Sequence, residues 1–125
     1  MKLKKLIVKE DSRGWVAEIM GPRDVRSLGF GQLIVTTAKP GQIKGNHYHK
    51  RKTEWYCVLK GKGILYLKEN KTGKIQEISL EEKKLSLVEI PPNYTHSIKN
   101  AGSDDIYVIS YTNEPFNELD KDTYR

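Results

Sequence analysis

The stretch Gly41-Gln42-Ile43-Lys44-Gly45-Asn46-His47-Tyr48-His49-Lys50-Arg51-Lys52-Thr53-Glu54-Trp55-Tyr56-Cys57-Val58-Leu59-Lys60-Gly61 decides how this chain is read. Two of its three histidines, His47 and His49, lie there, and the third, His96, stands far downstream behind Pro91-Pro92-Asn93. Side chains alternate between the faces of a strand, so residues two apart point the same way. His47 and His49 can therefore aim both imidazoles at one point. Glu54 on the next strand and His96 on a distant one complete a shell of three nitrogens and one oxygen. That shell suits a divalent metal, zinc first, with Fe2+, Mn2+ or Ni2+ as further choices. A single histidine is more often an ordinary polar residue than a ligand. Three of three in ligand positions, with an acid in register, favour a metal over packing.

Outward from this stretch, short β-favouring runs alternate with turn residues. Expected strands cover Leu6–Lys9, Gly14–Met20, Gly31–Ala38, Gly45–His49, Thr53–Lys60, Gly63–Lys68, Ile75–Leu80, Ser86–Ile90, His96–Asn100 and Ile106–Thr112. Turn chemistry separates them at Lys39-Pro40-Gly41, at Lys60-Gly61-Lys62-Gly63, between Glu69 and Lys74, and between Asn100 and Asp104. No long stretch shows helical periodicity. Many short strands with regular turns imply an antiparallel barrel or sandwich. The tail 113–125 is polar but carries Phe116, Leu119 and Tyr124, apolar groups able to fold it back onto the barrel.

With 125 residues, the chain is expected to form one domain, 1–125, around a modest core. No apolar run reaches the length of a membrane span. No signal-peptide core follows the basic start Met1-Lys2-Leu3-Lys4-Lys5-Leu6. Cys57 is the only cysteine, so no internal disulfide forms and a reducing cytoplasm is the natural setting. It falls in an apolar run and reads as a packed strand residue rather than a catalytic thiol. The net charge of +6 fits an anionic ligand such as a sugar nucleotide, or simply a solvated surface. No helix-turn-helix pattern, zinc finger or RNA-binding aromatic signature accompanies it, so nucleic acid is not an expected partner.

The spacing from Gly41 through His47, His49 and Glu54 to Gly61 resembles the first signature of the cupins. Pro91, Asn93, His96 and Asn100 resemble the second, with Asn93 where glycine is usual. Asparagine tolerates a left-handed backbone, so the same turn is open to it. The resemblance implies an all-β fold, the cupin double-stranded β-helix or jelly-roll barrel. Asp11-Ser12-Arg13-Gly14-Trp15-Val16-Ala17-Glu18 resembles a nucleotide-binding segment of the dTDP-4-dehydrorhamnose 3,5-epimerases. It implies substrate contacts from Arg13 and Glu18, often across a dimer interface, with Trp15 stacking on a base or packing between strands. Arg13 suits a diphosphate because its guanidinium grips phosphate bidentately. Residues 1–20 are then fit to be exchanged with, or added to, the sheet of a homodimer partner.

Lys44-Gly45-Asn46-His47-Tyr48-His49 is similar to the same family's basic-Gly-x-His-Tyr-Gln motif. The match places Lys44 and Asn46 beside the substrate and the catalytic base at His47, while His49 replaces the glutamine. Gly45–His49, Ile90–His96, Asn113–Asn117 and Asp122-Thr123-Tyr124 resemble a zinc-binding epimerase cupin. That cupin is the C-terminal part of bifunctional reductase–epimerases that make UDP-sugar precursors of capsular polysaccharide. Here the reductase is expected on a separate polypeptide acting downstream.

The expected function is therefore epimerisation of a UDP- or dTDP-linked 4-keto-6-deoxyhexose for surface polysaccharide. It would invert C3, or C3 and C5, through an enolate. A sugar-nucleotide 3,4-ketoisomerase, a metal-dependent dioxygenase and a non-catalytic sugar-binding cupin are the alternatives. An imidazole bound to a metal has committed its lone pair, so His47 serves as ligand or as base. Lys44, Tyr56 and Tyr111 are the other candidates for proton transfer. Tyr56 reads equally as a core aromatic, and Glu114 is an alternative occupant of the epimerases' acid position. Lys39, Lys50, Arg51 and Lys52 read as a solvated basic rim.

Overall fold

A computed structural model describes residues 1–20, 24 and 30–125, and of residues 14–16 the backbone alone. The stacking or packing expected of Trp15 lies outside the described residues. Eleven strands run through them: β1 (Lys2–Lys5), β2 (Val8–Asp11), β3 (Gly14–Ala17), β4 (Gln32–Ala38), β5 (Ile43–His47) and β6 (Glu54–Lys60), then β7 (Lys62–Glu69), β8 (Ile75–Glu81), β9 (Ser86–Ile90), β10 (Tyr94–Asn100) and β11 (Ile106–Thr112). A five-stranded sheet in the order β1-β9-β6-β11-β4 faces a four-stranded sheet in the order β5-β10-β7-β8. β2 and β3 form a separate hairpin. The all-β jelly roll expected from the sequence is the fold observed. No described helix is long and apolar enough to cross a membrane.

β7 shows why these residues form strands. Gly63, Leu65 and Leu67 are buried while their neighbours are partly or fully exposed, the period of two that seals one sheet face. They meet Ile98 of β10 and, from the other sheet, Tyr56, Val58, Val88, Ile90 and Val108. Each fully buried aliphatic side chain contributes about 1.5–3 kcal/mol. β6 breaks the alternation because both its faces are covered. Tyr56 and Val58 point between the sheets, whereas Trp55 and Cys57 join Leu85, Leu87 and Tyr111 in a second cluster. That cluster is closed by Leu6, Ala17, Ile19 and Met20. Burial pushes the Cys57 thiol up to about 11, consistent with a packed residue.

The strands Ser86–Ile90 and Ile106–Thr112 have the bounds read from the sequence. The start of the chain differs. In place of one strand over Leu6–Lys9 there are two, β1 and β2, and β1 has all four side chains exposed. Backbone pairing to β9 (Lys2↔Glu89 through Lys5↔Ser86) holds it, and that leaves no hydrophobic alternation to read. β1 thus belongs to the chain's own sheet, and among the described residues the β2–β3 hairpin is the part of 1–20 paired to no other strand.

Candidate metal centre

The four residues singled out by spacing converge at the open end of the space between the sheets. Their ligand atoms all lie within 4.8 Å of one another. His47 ends β5, and a bulge sets its aim. Ser97 pairs with Gly45 but His96 pairs with His47, so Asn46 is the extra residue. Gly45 at φ 98° and Asn46 at φ 65° supply the left-handed backbone that the bulge needs. A Cβ at Gly45 would come within 3.0 Å of the His96 carbonyl oxygen. Beyond the strand the alternation persists. Tyr48 turns outward to stack on Tyr124, and His49 turns back to the site. Asn93 adopts φ 66°, the turn expected of it, and its N–H donates to the His49 carbonyl at 2.6 Å.

Two of the imidazoles have their tautomers set by backbone. His49 Nδ1 donates to the Asp122 carbonyl at 2.6 Å, and His96 Nδ1 to the Tyr94 carbonyl at 3.0 Å. Both Nε2 atoms thus face a carboxylate, and in the neutral imidazole each is a lone pair. Glu54 Oε1 touches His49 Nε2 and lies 3.2 Å from His96 Nε2 and 3.7 Å from His47 Nε2. His96 is 1% exposed, and its Nε2, although close, is too poorly aligned on Glu54 to make a hydrogen bond. Lone pairs facing a carboxylate repel unless a positive charge sits between them. A proton could relieve one pair, whereas a divalent cation relieves all four ligands together. The donor set, three nitrogens and one oxygen with an orphaned buried nitrogen, fits zinc or a similar ion.

The electrostatics agree. Burial works to raise the Glu54 carboxyl, but the imidazoles of His47, His49 and His96 outweigh it and hold it far below the usual carboxylate range. Burial works to lower the His49 pKa, and the Glu54 carboxylate with the Asp122 carbonyl overcomes it and raises it. Tyr56 is pushed well above the usual phenol range, first by burial and then by the Glu54 charge. Ser110 donates to Glu54 Oε2 at 3.3 Å and fixes the second carboxylate oxygen.

The cluster opens into a cleft of about 390 Å³. Lys44 and Tyr56 line it, as their candidate roles require, together with Thr36, Lys52, Ser110, Phe116 and Thr123. Tyr56 lies edge-on to His96 at 5.6 Å. Lys44 Nζ donates to Thr36 Oγ1 at 3.0 Å. Tyr111 is elsewhere. Ser110 and Thr112 face the cleft, so alternation along β11 sends Tyr111 to the opposite face, where its hydroxyl accepts from the Gly31 N–H at 2.7 Å. Asn46 is an exposed bulge residue that does not line the cleft. Arg13 lies in the β2–β3 turn, exposed and paired with Asp11 at 2.6 Å, and Glu18 is exposed after β3. Neither reaches the cleft of its own chain. Glu114 is held by Arg51 at 2.7 Å and does not line the cleft either.

Three site residues escaped the sequence reading. Lys52 is 4% exposed rather than part of a solvated rim, and its ammonium donates to the Lys121 carbonyl at 3.1 Å. Its place two residues before Glu54 was a legible signal for the same face. Ser110 shares a face of β11 with Thr112, but the sequence does not say which face of that strand looks inward. Asp122 belonged to a stretch noted only for its resemblance, and its role was not legible because its contacts lie seventy or more residues away in the chain.

Comparison with known proteins fits this geometry. The sequence pattern of the polysaccharide biosynthesis C-terminal domain matches residues 9–124. A UDP-2-acetamido-2,6-beta-L-arabino-hexul-4-ose reductase of Pseudomonas aeruginosa is 38% identical over 114 residues, 91% of this chain and 29% of that protein. The structure of the capsular polysaccharide assembling protein CapF of Staphylococcus aureus is 36% identical, with a TM-score of 0.74 over 95% of this chain and 33% of its own. The chain thus spans about a third of the length of these two relatives. A dTDP-4-dehydrorhamnose 3,5-epimerase of Sulfolobus tokodaii shares the fold, with a TM-score of 0.81 at 23% identity over 95% of this chain and 73% of its own. This chain, with its jelly-roll fold, belongs to the polysaccharide biosynthesis C-terminal domain family.

Proposed function

We propose that this protein is a metal-holding sugar-nucleotide epimerase that inverts C3 of a UDP- or dTDP-linked 4-keto-6-deoxyhexose for surface polysaccharide. The observation that carries the reading is the convergence of His47, His49, Glu54 and His96 at the base of a cleft that also holds Lys44, Lys52 and Tyr56. The Pseudomonas relative is named for a UDP-linked hexul-4-ose, and a 4-keto group is what makes the adjacent C3 hydrogen acidic. When bound, the divalent ion would supply Lewis-acid stabilisation of the charge that develops on the substrate.

The chain's own residues would do the rest. His47 serves as a ligand in this reading, so proton transfer falls to other groups. Inversion requires a proton to leave from one face of the sugar and another to arrive on the opposite face. Tyr56 on β6 and Lys44 on β5 approach the cleft from different sheets and suit these two tasks. As the C3–H bond breaks, its electron pair becomes the C3–C4 double bond and the C4 oxygen takes the charge. Collapse of that enolate with a proton delivered to the other face of C3 leaves an isomer and consumes no reductant. Lys52, buried and donating to the Lys121 carbonyl, lines the same cleft as Glu54, and its ammonium suits the developing oxyanion.

A homodimer completes the reading. Among the described residues the β2–β3 hairpin is hydrogen-bonded to no other strand, and it would carry Arg13 and Glu18 to the partner's cleft, where Arg13 meets the diphosphate. The experiment is incubation with UDP- and dTDP-linked 4-keto-6-deoxy sugars in D2O, followed by NMR. Deuterium entering at C3 with inversion supports the proposal. Absence of exchange with both nucleotides would overturn it.

A further inference from the structure

We propose that Asp122 is a positioning residue of the metal centre, so that the C-terminal tail orients His49 for metal binding. The inference rests on the metal-centre reading above. Several of the contacts that return the tail to the barrel gather beside His49. Tyr48 and Tyr124 exchange two backbone hydrogen bonds of 2.9 Å, and their rings stack at 5.4 Å. Asp122 is 4% exposed, and its carboxylate accepts the N–H groups of Lys50, Arg51 and Lys52 at 2.9, 3.0 and 3.0 Å. Those three are the first of the four residues, 50–53, that join His49 to Glu54. One side chain therefore fixes the spacing between two ligands.

The same residue also sets the ligand's chemistry. Asp122 takes φ 47°, a left-handed conformation that aspartate tolerates better than most residues. That conformation accompanies a carbonyl placed 2.6 Å from His49 Nδ1. With Nδ1 held as the donor, Nε2 stays a lone pair facing Glu54 and His96. Lys52 Nζ on the Lys121 carbonyl and Arg51 on Asp120 tie the residues just before Asp122 to the same loop. A tail that merely capped the barrel would need no carbonyl aimed at a ligand's second nitrogen.

The test uses the full chain, stripped with chelator and titrated with zinc against a chromophoric competitor. Asp122→Ala is compared with Asp122→Asn and wild type. Loss of a partner that orients a ligand typically weakens metal affinity about 10- to 100-fold, and that loss is expected for Asp122→Ala. Asp122→Asn keeps an acceptor oxygen and tolerates the left-handed backbone, so it should recover part of the affinity. Nitrogen-15 spectra of the metal-free proteins should show one His49 tautomer in wild type and a mixture in Asp122→Ala. A structural cap alone would lower the melting temperature and leave zinc affinity and tautomer unchanged, and that result overturns the inference. If Asp122→Ala does not fold, Asp122→Asn decides: affinity equal to wild type overturns it, and a measurable loss supports it. Wild type that fails to bind zinc would instead remove the metal centre and this inference with it.

Discussion

Replacing His96 by leucine tests the metal centre through stability alone. In the metal-free protein the His96 Nε2 is buried without a hydrogen bond, a defect that costs about 1–3 kcal/mol. Leucine removes the defect, loses one hydrogen bond to the Tyr94 carbonyl worth about 1 kcal/mol, and loses ring contacts with Tyr56 and His47 worth about 0.5–1.5 kcal/mol each. The gains and losses nearly cancel, so in chelator the variant should melt close to wild type. With zinc the two should part. At a free ion concentration about 100 times Kd, binding stabilises the folded wild type by about 2.7 kcal/mol. At about 2.1 cal/mol/K per residue, 125 residues have an unfolding entropy of about 0.26 kcal/mol/K. The shift for wild type is then about 10 °C, while the variant, missing one ligand, should shift far less. Paired thermal melts in chelator and in zinc measure both. Equal responses from the two proteins, or no response from wild type, would refute the reasoning.

Tyr56→Phe should lower epimerase turnover by about 10²–10⁴-fold if the hydroxyl transfers a proton, with zinc content unchanged by elemental analysis. Tyr111→Phe should leave turnover intact and cost about 1 kcal/mol through the lost Gly31 hydrogen bond, read as a drop of about 4 °C in melting temperature. The Asp122 carboxyl gives a pH signature. Burial works to raise its pKa, but the N–H groups of Lys50, Lys52 and Arg51 prevail and lower it. Its stabilisation is therefore complete above the ordinary aspartate value of about 3.9 and is lost as pH falls through the lower folded value. Wild type and Asp122→Ala should differ most in melting temperature near neutral pH, and the gap should narrow on acidification; a gap that widens in acid would contradict the assignment.

Much of the centre was legible from local rules. Alternation put His47 and His49 on one side, and the acid five residues after His49 met them there. Even Asn93 was readable, because few side chains besides asparagine accept a left-handed turn. The same alternation would have removed Tyr111 from the site once Ser110 was known to face inward, and would have added Lys52 through its spacing to Glu54. What could not be read was which face of β11 looks inward, since both its faces are apolar enough to be buried. β1 was hidden for the opposite reason. Its side chains are all exposed, and pairing through the backbone leaves no trace in residue type.

By itself, then, the sequence determined an antiparallel β barrel and the identity of four metal-seeking side chains, because strand period and ligand chemistry are properties of neighbouring residues. Only the tertiary structure decided how those ligands are aimed. The bulge at Gly45 and Asn46 depends on the register of β5 against β10. The Asp122 carbonyl on His49 depends on a tail that returns across more than seventy residues. Long-range pairing is set by the sum of the core's contacts, and no short stretch of residues encodes it.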